Sequence, residues 1–255
     1  MNECKQVRVE RISSLLAITL ARPEKKNAVT AQMYQALAQA LELANTELSV
    51  HVVLLDADGE DFCAGNDIAD FVALARSGQQ LESSEVFRFL RALAGLVKPL
   101  VAAVRGRAVG IGTTMLLHCD LVYIAGTALL STPFVDLGLV PEAASSLLLP
   151  ARIGQVRAFA MFALGEIVDG QAAVACGLAN AALPADEVTP RARAAAIALA
   201  DKPALALQAT KRLMREQGRL LAAIESEGRE FVQRLASAEA QAAFLAFVSR
   251  RGSGA

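Results

Sequence analysis

The chain has 255 residues, 54% hydrophobic and 20% charged, with a formal net charge of -1. That length and apolar share support one large or two small folded domains and exclude a disordered chain. The balanced charge excludes a globally basic surface that would hold nucleic acid through its phosphates. Cys4, Cys63, Cys119 and Cys176 form no CxxC pair and no metal-like spacing, and His51 and His118 are the two histidines. No metal site and no Ser–His–Asp triad is expected from such a set.

The N-terminal stretch MNECKQVRVERIS is mixed and charged, with no apolar core of a signal peptide. The most apolar region, residues 108–135, is interrupted by Asp120 and several glycines and reads as buried core rather than a membrane span. A cytoplasmic chain with no membrane partner is expected.

In chain order, residues 6–10 and 15–20 read as an opening hairpin around Ile12-Ser13-Ser14. A charged loop with Pro23 follows. Thr30 then caps a helix whose Met33, Leu37, Leu41 and Ala44 share one face. HVVLLD at 51–56 is a near-continuous apolar strand, suited to a sheet covered on both sides. Residues 59–65 read as a loop, and Asp67 opens a helical stretch. Val86, Phe89, Leu90 and Leu93 mark a further helix that stops before Pro99. Residues 100–104 read as a strand, 113–118 as a short helix and 121–124 as another strand. Strand and helix thus alternate through Pro150, which implies parallel pairing through crossovers. Beyond Pro150 strand signals nearly vanish and Ala-rich helical periodicity takes over. Ser237 is placed to cap a last helix carrying Phe244, Phe247 and Val248.

Four segments carry candidate chemistry. In Phe62-Cys63-Ala64-Gly65-Asn66-Asp67, small residues let a backbone approach a ligand closely, and Asp67 would cap the following helix. In the run from Val104 to Thr114, Gly106, Gly110 and Gly112 lead a strand into a helix N-terminus, whose free N–H groups favour an anion or a developing oxyanion. No phosphate-loop or dinucleotide glycine pattern is present there. In the run from Thr132 to Ser146, Glu142 follows Pro141 and precedes an apolar helix, a carboxylate read as part of that helix's first turn. At the mouth of an apolar pocket, desolvation would make it a better base. The loop Arg22-Pro23-Glu24-Lys25-Lys26-Asn27-Ala28 offers a basic edge for a phosphorylated carrier. Taken singly, each segment is equally well a tight turn, close packing, a structural Glu or a solvated loop.

Together the four resemble the crotonase family, the enoyl-CoA hydratase/isomerase superfamily, in family order and across nearly the whole chain. The resemblance implies an α/β fold: a crotonase-like spiral of ββα repeats over 1–195, then a helical C-terminal trimerisation region over 196–255. It implies an acyl-CoA substrate, a homotrimer or dimer of trimers, and no cofactor beyond the coenzyme A carried by the substrate. Backbone N–H groups of Asn66 and Ile111 would hold the thioester oxygen. Ala64, Gly65, Asp67, Ile68 and Gly110 would meet the substrate or CoA, and Lys25 and Asn27 would touch the CoA from the entrance loop. Family hydratases hold water with two Glu residues, at positions matched here by Thr114 and Phe134. Glu142 instead matches the base of the Δ3,Δ2-enoyl-CoA isomerase subgroup, so the resemblance implies isomerisation with Glu142 as sole base. Hydration, acyl-CoA lysis or hydrolysis is the alternative within the family, and a non-catalytic acyl-CoA-binding protein the alternative outside it. Acyl chain length would depend on residues 71–86.

Overall fold

The computed structural model describes residues 4–67, 70 and 84–252, with side chains described through Ala246. Ile68 and all but the last three residues of 71–86 lie outside the described residues, as do the side chains of Phe247 and Val248. A six-stranded sheet runs in the order β1 (Val7–Ile12), β2 (Leu15–Leu20), β3 (Val52–Ala57), β4 (Leu100–Val104), β6 (Leu121–Ala125) and β9 (Ala181–Leu183). The opening pair is antiparallel and every later pairing is parallel. The expected hairpin forms, but Ile12 is its last strand residue. The turn is Ser13-Ser14, with Ser13 at φ 56.

A second, smaller layer contains β5 (Arg107–Val109), β7 (Leu129–Ser131) and β8 (Val168–Asp169). Parallel bridges Cys63↔Ala108 and Val29↔Asn66 extend that layer. The ββα repeat is visible in this arrangement. The chain lays a long strand in the large sheet, a short strand or bridge in the small layer, then a helix. It does so with β2, Val29 and α1 (Ala31–Thr46), then with β3, the Cys63–Asn66 segment and α2 (Glu85–Ala94). It repeats with β4, β5 and α3 (Ile111–Thr114), and again with β6, β7 and α4 (Ser145–Ile153). The α/β crotonase fold inferred from the resemblance is therefore the fold observed.

Local sequence accounts for most of these elements. Thr30 accepts from Met33 N–H at 3.2 Å and caps α1, whose Met33, Leu37, Leu41 and Ala44 are buried. Ser84 caps α2 in the same way, accepting from Phe87 N–H at 3.3 Å. β4 is buried along its length and β3 up to its last residue, as continuous apolar runs require in a covered parallel sheet. α7 (Ala185–Ala200) packs across β3, β4 and β6 and covers one face.

Two expectations are corrected. The glycine-punctuated run after β4 is more than a turn, because it holds β5. Pro150 is no boundary: it lies inside α4, and both β8 and β9 follow it. These strands are two and three residues long, too short to show a period of two in an Ala-rich sequence. The rest of the C-terminal third is helical, as expected: α5 (Gln155–Ala163), α6 (Gly170–Ala175), α8 (Ala204–Met214), α9 (Gln217–Leu235) and α10 (Ala238–Gly252). Ser237 caps α10 by accepting from Ala240 N–H at 3.1 Å. Among the described residues no helix is long and apolar enough to cross a membrane.

Candidate active site

The small layer brings together two segments that are far apart in sequence. Cys63 N–H donates to Arg107 C=O at 3.0 Å, and Val109 N–H returns to Cys63 C=O at 2.9 Å. On the other side, Val29 N–H donates to Gly65 C=O at 2.8 Å and Asp67 N–H to Val29 C=O at 2.9 Å. Amides alternate along an extended chain, so the Asn66 N–H faces away from Val29. Among the described residues, neither the Asn66 nor the Ile111 amide donates to a protein acceptor. Ile111 is the first residue of α3, where helix amides lack intrahelical partners.

Three glycines make this approach possible. Gly65 has φ +93, and a Cβ there would lie 3.1 Å from Val109 C=O. A Cβ on Gly112 would lie 2.6 Å from Cys63 C=O, so α3 starts against that segment only because residue 112 lacks a side chain. Gly110 has φ +55 with open space where a Cβ would stand. That space belongs to a cavity of about 520 Å³ bounded by Ala64 to Asp67, Val109 to Ile111, the loop residues Lys25 and Lys26, and apolar Phe134, Leu137 and Leu139. Phe231 of α9 and Phe244 of α10 close it from the C-terminal helices.

Of the residues singled out from the sequence, Lys25, Ala64, Gly65, Asn66, Asp67, Gly110 and Ile111 all line this cavity. Asn27 does not. Its side chain is fully buried, donating to Asp58 C=O at 2.9 Å and Asp61 C=O at 2.8 Å while accepting from Arg22 N–H at 2.8 Å. It braces the entrance loop from behind and has no donor left for a ligand in front. Arg22 is similarly committed, to Ala28 C=O and to Asp67 at 2.7 Å, so the basic edge of the loop is carried by the two lysines. Tyr34, buried on α1, donates to the Asn66 side chain and steadies that residue.

Glu142 is buried at 9% exposure and does not line this cavity, although Leu139, three residues before it, does. It is not in the first turn of α4, which begins at Ser145. Between them Ala143 and Ala144 both take left-handed conformations, at φ 62 and 55. Glu142 Oε1 accepts from the Thr114 hydroxyl at 2.5 Å, one helical turn past Ile111. Burial pushes the Glu142 carboxyl up to about 8, against the Thr114 hydrogen bond and with some help from the Glu227 charge. A carboxyl of this kind is poised to exchange a proton near neutral pH. Phe134, by contrast, offers only an apolar ring, packed 6.1 Å from Phe162.

The carboxylate at the start of α4 is Glu227, on α9. It accepts from Ala144 N–H at 2.6 Å and Ser146 N–H at 2.9 Å. His118 supports the same turn from the other side. Arginine can only donate, so Arg215 Nη2, 2.5 Å from His118 Nδ1, fixes that nitrogen as acceptor. His118 Nε2–H then donates to Ala143 C=O at 2.7 Å. Burial pushes His118 down to about 3, so it is a neutral brace. Nothing in local sequence marks Glu227 or His118 for this work, because both partners are distant along the chain. Among the described residues no group of His, Cys, Asp and Glu could hold a metal ion, and all four cysteines are free thiols.

The sequence model of the enoyl-CoA hydratase/isomerase family matches residues 10–253. The chain belongs to this family. It is 33% identical over 254 residues to "Enoyl-CoA delta isomerase 2" of Rattus norvegicus, covering 98% of this chain and 65% of the rat protein. The chain thus spans just under two thirds of that relative. It is also 33% identical to a "Probable enoyl-CoA hydratase" of Rhodobacter capsulatus, covering 81% of this chain and 79% of the relative. Among solved structures, that of Pseudomonas aeruginosa OdaA is 45% identical, with a TM-score of 0.90 over 95% of this chain and 98% of that one. The family is that of acyl-CoA enzymes working on enoyl thioesters. Both isomerase and hydratase names occur among its similar members.

Proposed function

We propose that the protein isomerises 3-enoyl-CoA to 2-trans-enoyl-CoA with Glu142 as its single base. Glu142 removes a proton from C2 of the thioester. The electron pair moves onto the thioester oxygen, giving a dienolate, and the proton returns at C4 as the double bond shifts to C2–C3. The Asn66 and Ile111 amides hold the oxygen as charge develops on it. A donor of this kind is worth roughly 2.7–4 kcal/mol at the transition state. Ala64, Gly65, Asp67 and Gly110 cradle the acyl thioester and CoA, and Lys25 meets the CoA phosphates at the entrance. Proton transfer within one substrate moves no electrons between molecules, so the reaction calls for no redox cofactor.

The observation that carries this reading is the Thr114–Glu142 hydrogen bond. The position matching a hydratase's first carboxylate is a hydroxyl that orients Glu142. The position matching its second is the apolar Phe134. One carboxylate serves a 1,3-proton shift, whereas the two-Glu arrangement is what grips and activates water. Incubation with 3-enoyl-CoA is expected to raise the conjugated-thioester absorbance. Hydration is the second reading, favoured by the hydratase names among relatives. Rapid loss of that absorbance from 2-enoyl-CoA would put hydration in place of isomerisation. Exposed Val156, Phe159, Leu205, Leu213 and Met214 on α5 and α8 support a homotrimer or dimer of trimers, read by light scattering.

A further inference from the structure

Glu227 is a buried carboxyl for which the proposed reaction has no use. It comes from α9, more than eighty residues beyond the loop it touches, yet both its oxygens are engaged there. One accepts from Ala144 N–H at 2.6 Å, the other from Ser146 N–H at 2.9 Å. The turn they hold is unusual. Ala143 and Ala144 are fully buried and both left-handed, a conformation that residues with a Cβ adopt only when their surroundings impose it. Ala144, at the N-cap position of α4, has no side chain that could cap the helix, and Glu227 supplies that cap from a distance. With His118 gripping Ala143 C=O, the turn is clamped at both residues.

We infer that Glu227 is a positioning residue for Glu142, holding the Ala143–Ala144 turn so that the Glu142 carboxyl stays against Thr114. This rests on the reading of Glu142 as the base. Glu142 is faced by Thr114 from α3, by Tyr34 from α1, by Cys63 and by Glu227, with neutral His118 behind the turn. Of these, Glu227 is the neighbour whose charge pushes Glu142 upward. Glu227 itself borders a second cavity, together with Arg219 and Glu230 of the same helix. It therefore acts through both position and charge.

Glu227→Gln tests this, with the parent and Glu142→Gln beside it. The carboxamide keeps one acceptor, turns an NH₂ toward a backbone N–H and removes the charge. The expected result is a kcat lower by about 10–100-fold, the scale of a misplaced reacting group, with KM for acyl-CoA little changed. In a ¹³C titration of the glutamate carboxyls, the Glu142 signal, assigned by its loss in Glu142→Gln, is expected to move to lower pH. Glu227→Asp keeps the charge one methylene short of the turn. It should lose kcat with the Glu142 midpoint unmoved. A folded Glu227→Gln with parental kcat and a parental Glu142 midpoint overturns the inference. Should that variant not fold, parental kcat in Glu227→Asp overturns it instead. Full turnover in Glu142→Gln would defeat the base assignment and not the Glu227–Glu142 coupling, which the titration reads without substrate.

Discussion

The two halves of the candidate site are built by opposite means. The amide side is backbone work: Asn66 and Ile111 are set by strand bridges between Val29, the Cys63 segment and β5, and glycines permit the close approach. The carboxyl side is side-chain work. Glu142 stands at the end of a strained turn held by Thr114, His118 and Glu227, the last from a helix in the C-terminal third. Amide donors fixed by the sheet come with the fold and survive most sequence change. A carboxyl held by distant side chains can be altered one residue at a time, which suits a family whose similar members carry both isomerase and hydratase names.

The largest way to separate the two sides is Glu142→Gln. It should lower isomerase turnover by about 10²–10⁴-fold, the usual worth of a positioned base, while acyl-CoA binding, owed to the amide side, persists in a calorimetric titration. The same variant has a stability signature. The raised Glu142 pKa means that folding stability is fully present below the ordinary 4.5 and is lost as pH rises through about 8. The variant lacks that loss, so its thermal midpoint should overtake the parent's on the alkaline side.

Gly112→Ala attacks the other side without touching Glu142. Its methyl would sit 2.6 Å from Cys63 C=O, so α3 must shift and carry the Ile111 amide with it. Displacement on that scale is expected to cost about 10²-fold in kcat. A variant with parental kcat would mean that the Ile111 amide has no part in the reaction.

The smallest effect sharpens the comparison most. Thr114→Val removes a hydrogen bond that favours ionised Glu142, so the carboxyl should rise above its value of about 8. The acid limb of kcat/KM then moves to higher pH, by about one unit for a hydrogen bond to a charged group. A limb that stays in place would show that Thr114 does not contact the base during turnover.

Much of the amide side was legible in the residues. FCAGND and GIGTT announced themselves through small residues between strand and helix, because close approach leaves a compositional mark. Asn27 was misleading, since an Asn in a charged loop looks the same whether it faces a ligand or, as here, knots the loop together from within. Glu142 was singled out through the family resemblance, its place after Pro141 fitting a structural Glu equally well, and its immediate setting was not legible.

By itself, the sequence determined the helix caps at Thr30 and Ser237, the buried strands and the glycines of the amide side, since each depends on residues adjacent in the chain. Tertiary structure alone decided that Cys63 would lie beside Ala108. It also decided that β8 and β9 would form from segments with no strand signal, and that Glu227 and His118 would converge on one two-residue turn. Those outcomes depend on partners up to some eighty residues apart, which a folded sheet brings into contact and no local pattern records.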